Sequence, residues 1–227
     1  MTRIGVCLSG CGVFDGSEIY ESVLTLLALD RAGAEIVCMA PDTPQLHVID
    51  HRTGEVTGET RNVLSESARI CRGEITDLAE VSAEDLDALI FPGGFGAAKN
   101  LCDFAVAGPD ARAHPEVQRL LEDVLAAKKP VGAICIAPAM VAAALRDSGR
   151  QPALTIGTDE DTAAGVEALQ ARHLRCPVEE FRVDEVNRIV TTPAYMLAGR
   201  ISEAAVGIER LVSEVLRLAG HESPAED

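Results

Sequence analysis

Tryptophan is absent from the 227-residue chain, and aromatic residues make up only 3% of it. That scarcity suits aliphatic parallel strands sandwiched between helices, and a formal charge of −16 repels every nucleic-acid backbone, so such partners are excluded. No apolar run approaches the length needed to span a membrane, and Met1-Thr2-Arg3-Ile4 leads straight into an apolar segment without the hydrophobic region of a signal peptide. A cytoplasmic protein with no membrane partner is the expectation. The seven cysteines are odd in number and contain no CxxC pair, which excludes a disulfide framework and fits a reducing compartment. Cys7 and Cys11 lie four apart without a histidine partner, so neither a metal nor a cofactor is expected.

What the chain does have is aliphatic bulk. Hydrophobic residues make up 47%, ample for one core, and they fall into short buried runs separated by amphipathic stretches. Strands are expected at Ile4 to Leu8, Glu35 to Ala40, Asp87 to Phe91, Val131 to Ile134 and Ala153 to Ile156. Helices are expected after Ser17, over 62–68, 115–127, 162–170 and 201–218, with hairpins around His51-Arg52-Thr53-Gly54 and Glu185-Val186-Asn187. Ser17 is read as the cap of the first helix, and Val23, Leu24, Leu26 and Leu27 as its core face. This alternation predicts an α/β fold, a doubly wound and mostly parallel sheet with helices on both faces. One domain is expected over 1–218, followed by a loose polar tail at 219–227.

The chain is organised around Lys129-Pro130-Val131-Gly132-Ala133-Ile134-Cys135-Ile136-Ala137-Pro138, an apolar strand that breaks at a cysteine and enters a helix at once. Pro138 suits a first helical turn, so Cys135 falls on the turn itself. A thiol there faces the amides of the new helix, and the helix dipole is expected to lower its pKa and make it the most reactive of the seven.

In a doubly wound sheet, three loops meet at the carboxyl ends of the strands: 9–18, 92–100 and the Cys135 turn. Glu18, Gly12 and Asn100 therefore become candidates to line a pocket, as does Thr158 beyond the next strand, with a cap role for Thr158 or Asp159 as the alternative. Gly93 or Gly94 with Ile136 would supply backbone N–H groups to an oxyanion. Gly10-x-Gly12 and Gly94-x-Gly96 also suggest phosphate loops, yet neither completes the G-x-G-x-x-G spacing, so a nucleotide-binding module is the weakest reading. Glu18 shares a helix face with Glu21 and either raises its pKa or serves as a first-turn acid.

Pro92-Gly93-Gly94, Gly132-Ala133-Ile134-Cys135 with Pro138 behind it, and Glu21 in the first helix resemble the ThiJ/PfpI superfamily, relatives of class I glutamine amidotransferase domains. The stretches Leu8 to Glu18, Pro92 to Asn100, Thr155 to Asp159 and Thr191 to Ala198 are similar to its ElbB branch, labelled isoprenoid-biosynthesis protein and described as a glyoxalase. The resemblance spans residues 3 to about 218 and implies a flavodoxin-like sandwich, a homodimer, Cys135 as nucleophile and Glu21 as its carboxylate neighbour.

Two departures narrow the chemistry. Position 136 is Ile where superfamily members with efficient catalysis often place His, and Thr191-Thr192-Pro193 lacks the late His-x-Glu of true amidotransferases, so glutamine hydrolysis is excluded. The five histidines, at 47, 51, 114, 173 and 221, are read as solvated. The reading that results is a slow, cofactor-independent, glyoxalase III-type lyase acting on a small carbonyl substrate such as glyoxal or methylglyoxal. The alternative is a redox-sensing or stress-response protein that uses the same cysteine without turnover.

Overall fold

The structure is a computed structural model and describes residues 1–221. In chain order its elements are β1 (Arg3–Cys7), α1 (Ile19–Arg31), β2 (Glu35–Ala40), α2 (Val63–Ser67), β3 (Thr76–Asp77), β4 (Ala88–Phe91), α3 (Phe95–Lys99), α4 (Phe104–Ala107) and α5 (Pro115–Ala126). There follow β5 (Val131–Ile134), α6 (Ala137–Leu145), β6 (Ala153–Leu154), α7 (Glu160–Ala168), β7 (Arg172–His173), β8 (Arg182–Asp184), β9 (Ile189–Thr192) and α8 (Ile201–Leu218).

Seven strands form one sheet in the order β3-β2-β1-β4-β5-β9-β8. All pair in parallel except β8, which runs antiparallel to β9 through the expected hairpin. Every residue of β4, β5 and β9 is buried, as parallel strands covered on both faces require. One apolar cluster joins α5, α6 and α7 to one face of the sheet, and the other joins α1 and α8 to the opposite face. The α/β architecture is thus as expected.

Three local expectations are corrected. The strand after α6 is only two residues long and leaves the main sheet, pairing with β7 in a separate ribbon. The cap of α1 is Glu18, whose carboxylate accepts from the Glu21 amide at 2.7 Å, while Ser17 turns back to accept from the Ser9 amide. The buried face of α1 is largely polar, Glu21, Ser22, Thr25 and Leu29, whereas Val23 and Leu27 are exposed. Ser22 and Thr25 satisfy themselves by donating to carbonyls one turn earlier.

Residues 219–221, expected to open a loose tail, are held in place. His221 hydrogen-bonds Thr2 Oγ1 and the Ala32 carbonyl, each at 2.8 Å, and ties the end of α8 to the start of the sheet. Residues 222–227 lie outside the described residues.

Candidate active site

Strand β5 ends at Ile134, and the backbone reverses at Cys135 with φ +61° before α6 begins. A side chain with a β-carbon is disfavoured in this left-handed region by about 1–2 kcal/mol, and such strain is held only where the surroundings fix it. The Cys135 amide donates to the Thr192 carbonyl of β9 at 3.0 Å, which anchors the turn to the neighbouring strand. Burial leaves Cys135 only 7% exposed.

Glu21 projects from the first turn of α1 to the same point and is fully buried. Its Oε2 accepts from the Gly93 amide at 3.0 Å and its Oε1 from the Tyr195 amide at 3.1 Å, and the carboxyl lies next to the Cys135 thiol, the two flanking Gly93. Burial pushes the Glu21 carboxyl up to about 8, helped by the nearby Glu18 charge and opposed by the Tyr195 amide, the Cys135 thiol and the Gly93 amide.

The amides of Gly94 and Ile136 lie beside the Cys135 sulfur and pull its pKa down. They favour a thiolate, as expected of a helix start. They do not win, because burial first and the Glu21 carboxylate second hold the Cys135 thiol well above its ordinary value. The expected low-pKa thiol is therefore corrected: at neutral pH the resting pair keeps its protons. The half-exposed Cys11 and Cys71 are raised as well, so burial governs thiols throughout the chain.

Glycine is demanded by close approach here. A β-carbon on Gly93 would collide with Cys135 Cβ and Glu21 Oε2, and one on Gly94, at φ +94°, would strike the backbone of Gly16 to Glu18. These two loops are laced together, with Glu18 N–H donating to Gly93 O at 2.9 Å, Phe95 to Val13 O at 2.8 Å and Gly96 to Gly16 O at 2.8 Å.

The structure thus brings Cys135, Glu21, Glu18, Gly94 and Ile136 to one point. The other three candidates sit elsewhere. Gly12 packs against His51 and Asp15. Asn100 spends its side chain as a clamp, donating to Ser9 O at 2.8 Å and Asp15 O at 2.9 Å and accepting from Leu46 N at 3.0 Å. Thr158 is exposed on the turn before α7, where Asp159 is the cap.

Loop 9–18 has few amides to offer a phosphate. Those of Ser9, Gly10, Gly12, Phe14, Gly16, Ser17 and Glu18 are all donated within the protein. Four histidines likewise carry structural bonds: His51 to Ile49 and Phe14, His114 as the cap of α5, His173 to Ile156, and His221 as above.

Sequence reasoning gave no role to Tyr195, whose amide holds Glu21 and whose ring lies 6.2 Å from that of Tyr20. The available signal was Thr192-Pro193, which ends β9 beside β5 and so directs the following residues over the same strand ends.

Comparison with known proteins agrees with this fold. The model of the DJ-1/PfpI family matches residues 11–191. The human glutamine amidotransferase-like class 1 domain-containing protein 3, mitochondrial, is 48% identical over 228 residues, covering 96% of this chain and 84% of that protein. The rat ES1 protein homolog, mitochondrial, is 47% identical with the same coverages. Among solved structures, an isoprenoid biosynthesis protein with amidotransferase-like domain from Ehrlichia chaffeensis superposes with a TM-score of 0.89 at 38% identity, covering 96% of this chain and 99% of that one. Both curated relatives are named mitochondrial, which overturns the cytoplasmic expectation. That expectation rested on the first few residues, and the compartment of a protein is not encoded in its packed domain.

Proposed function

Because the chain belongs to the DJ-1/PfpI family, which includes glyoxalases and stress-response proteins, we propose that it is a cofactor-independent glyoxalase III-type enzyme acting slowly on small 2-oxoaldehydes. The observation that carries this reading is the strained Cys135 turn, with the Glu21 carboxyl packed beside the thiol across Gly93 and two backbone amides next to the sulfur.

In this reading the Glu21 carboxylate takes the Cys135 proton as the sulfur bonds to the aldehyde carbon. The oxygen that gains charge is met by the Gly94 and Ile136 amides and then receives that proton, giving a hemithioacetal. The Glu21 carboxylate next removes the hydrogen on the former aldehyde carbon, forming an enediolate, and returns it to the adjacent carbon while the hydroxyl proton on the first carbon passes to the neighbouring oxygen. The product is a thioester, which water hydrolyses to a 2-hydroxy acid and free thiol. Glu18 fixes the start of α1 and keeps the Glu21 proton affinity high. Slow turnover follows because one carboxyl performs every proton transfer and is mostly protonated at neutral pH. The small carbonyl substrate and a homodimer belong to the same reading.

The same two amides would also hydrogen-bond the oxygens of a Cys135 sulfinate, which favours redox sensing as the second reading. Assaying purified protein with glyoxal and methylglyoxal beside Cys135→Ala separates the two. Turnover lost in Cys135→Ala supports the enzyme, whereas equal rates in both proteins refute it.

A further inference from the structure

Two other thiols meet away from Cys135. Cys38 lies in the middle of β2 and is buried at 7% exposure, while Cys71 lies in the turn after α2 and is half-buried. The two side chains are close enough for each to shift the other's proton affinity. Both line one cavity of about 390 Å³, walled by Val23, Leu26 and Leu27 of α1 with Ile36 and Ile70. Arg72, Asp30 and Glu74 are its charged members.

The two thiols differ in environment. The Cys71 thiol donates to the Ser67 carbonyl at 3.5 Å and sits half-buried at a turn that the Gly73 amide closes on the Ala68 carbonyl at 2.8 Å, through Arg72 at φ +58° and Gly73 at φ +90°. Cys38 is enclosed in the sheet, and burial pushes its thiol up to about 12. Cys71 is therefore the thiol that ionises first, and Cys38 stands ready behind it.

We propose that Cys38 and Cys71 form a reversible dithiol–disulfide site, opening on the α1 cavity and independent of the Cys135 chemistry, with a hydroperoxide as oxidant. The Cys71 thiolate attacks a peroxide oxygen, the O–O bond breaks, and the leaving hydroxide takes a proton to become water, leaving Cys71 as a sulfenic acid. The Cys38 sulfur loses its proton and displaces hydroxide from the Cys71 sulfur, forming the S–S bond and a second water. Two thiols are oxidised by two electrons and one peroxide is reduced. The bond would staple β2 to the turn after α2 and restrict the unfolded chain, so oxidation should raise Tm.

The test uses the full-length protein exposed to hydrogen peroxide, alkylated, and mapped by trypsin and mass spectrometry without reduction. The expected product joins the peptide of residues 32–52 to that of residues 70–72, two hydrogens lighter than their sum, and disappears with dithiothreitol. It should form equally in Cys135→Ala and be absent from Cys71→Ser. Failure of wild-type protein to yield this product, or its formation only when Cys135 is intact, overturns the proposal, and neither result bears on glyoxalase activity.

Discussion

Gly93 donates its amide hydrogen to Glu21 Oε2 across 3.0 Å and at the same time leaves no space for a β-carbon between that carboxyl and Cys135. One residue therefore both polarises the carboxyl and sets its distance from the thiol. Gly93→Ala should force the pair apart, and overpacking a buried site costs about 1–3 kcal/mol. Denaturant unfolding should show that loss. Turnover of methylglyoxal should fall with it, and an active Gly93→Ala protein would mean that the spacing is unimportant.

The left-handed backbone at Cys135 leads to a second expectation. Glycine adopts φ +61° without penalty, so Cys135→Gly should be more stable than Cys135→Ala by about 1 kcal/mol. Urea midpoints of the two inactive proteins measure this directly. Equal midpoints would show that the turn stores no strain.

Much of this was legible beforehand, and the reasons are physical. The apolar runs that became β4 and β5 are buried on both sides, so hydrophobicity alone marked them, β9 was legible only as an arm of the hairpin around 185–187, and Pro138 marked where α6 starts. The face of α1 was misread because its buried positions are Glu21, Ser22 and Thr25, whose polar groups are satisfied by partners distant in sequence or by the helix itself. Asn100 was misplaced for a similar reason, since its clamp joins residues 9, 15 and 46, and no local pattern encodes that meeting. The thiol pKa was misjudged because the helix amides are visible in sequence, whereas complete burial and the opposing Glu21 charge are properties of the packed state.

Glu21 sets the pH response of the fold. Its folded pKa of about 8 lies above the unfolded value near 4.3, so the folded state holds a proton that the unfolded chain releases between them. The stability this contributes is complete below about pH 4.3 and is lost as pH rises through about 8. Unfolding free energy measured from pH 5 to 9 should therefore carry a falling component that Glu21→Gln removes. An unchanged slope in Glu21→Gln would place the proton elsewhere.

Turnover should run the opposite way with pH. The proposed base is the Glu21 carboxylate, present only as pH passes about 8, so kcat/KM for methylglyoxal should climb through that value. Glu21→Gln separates this role from mere support of the thiol. Glutamine keeps an oxygen to accept from Gly93 or Tyr195 and an N–H to donate to the Cys135 sulfur, and it removes the negative charge that raises the thiol. Alkylation of Cys135 should therefore match or exceed wild type, whereas Glu21→Leu, with no hydrogen bond to give, should label more slowly than Glu21→Gln. Glutamine cannot exchange a proton with carbon, so turnover should drop by about 10²–10⁴-fold, the contribution of a positioned general base. Retention of full turnover in Glu21→Gln would show that another group moves the proton and that the carboxyl beside Cys135 only holds the thiol in place.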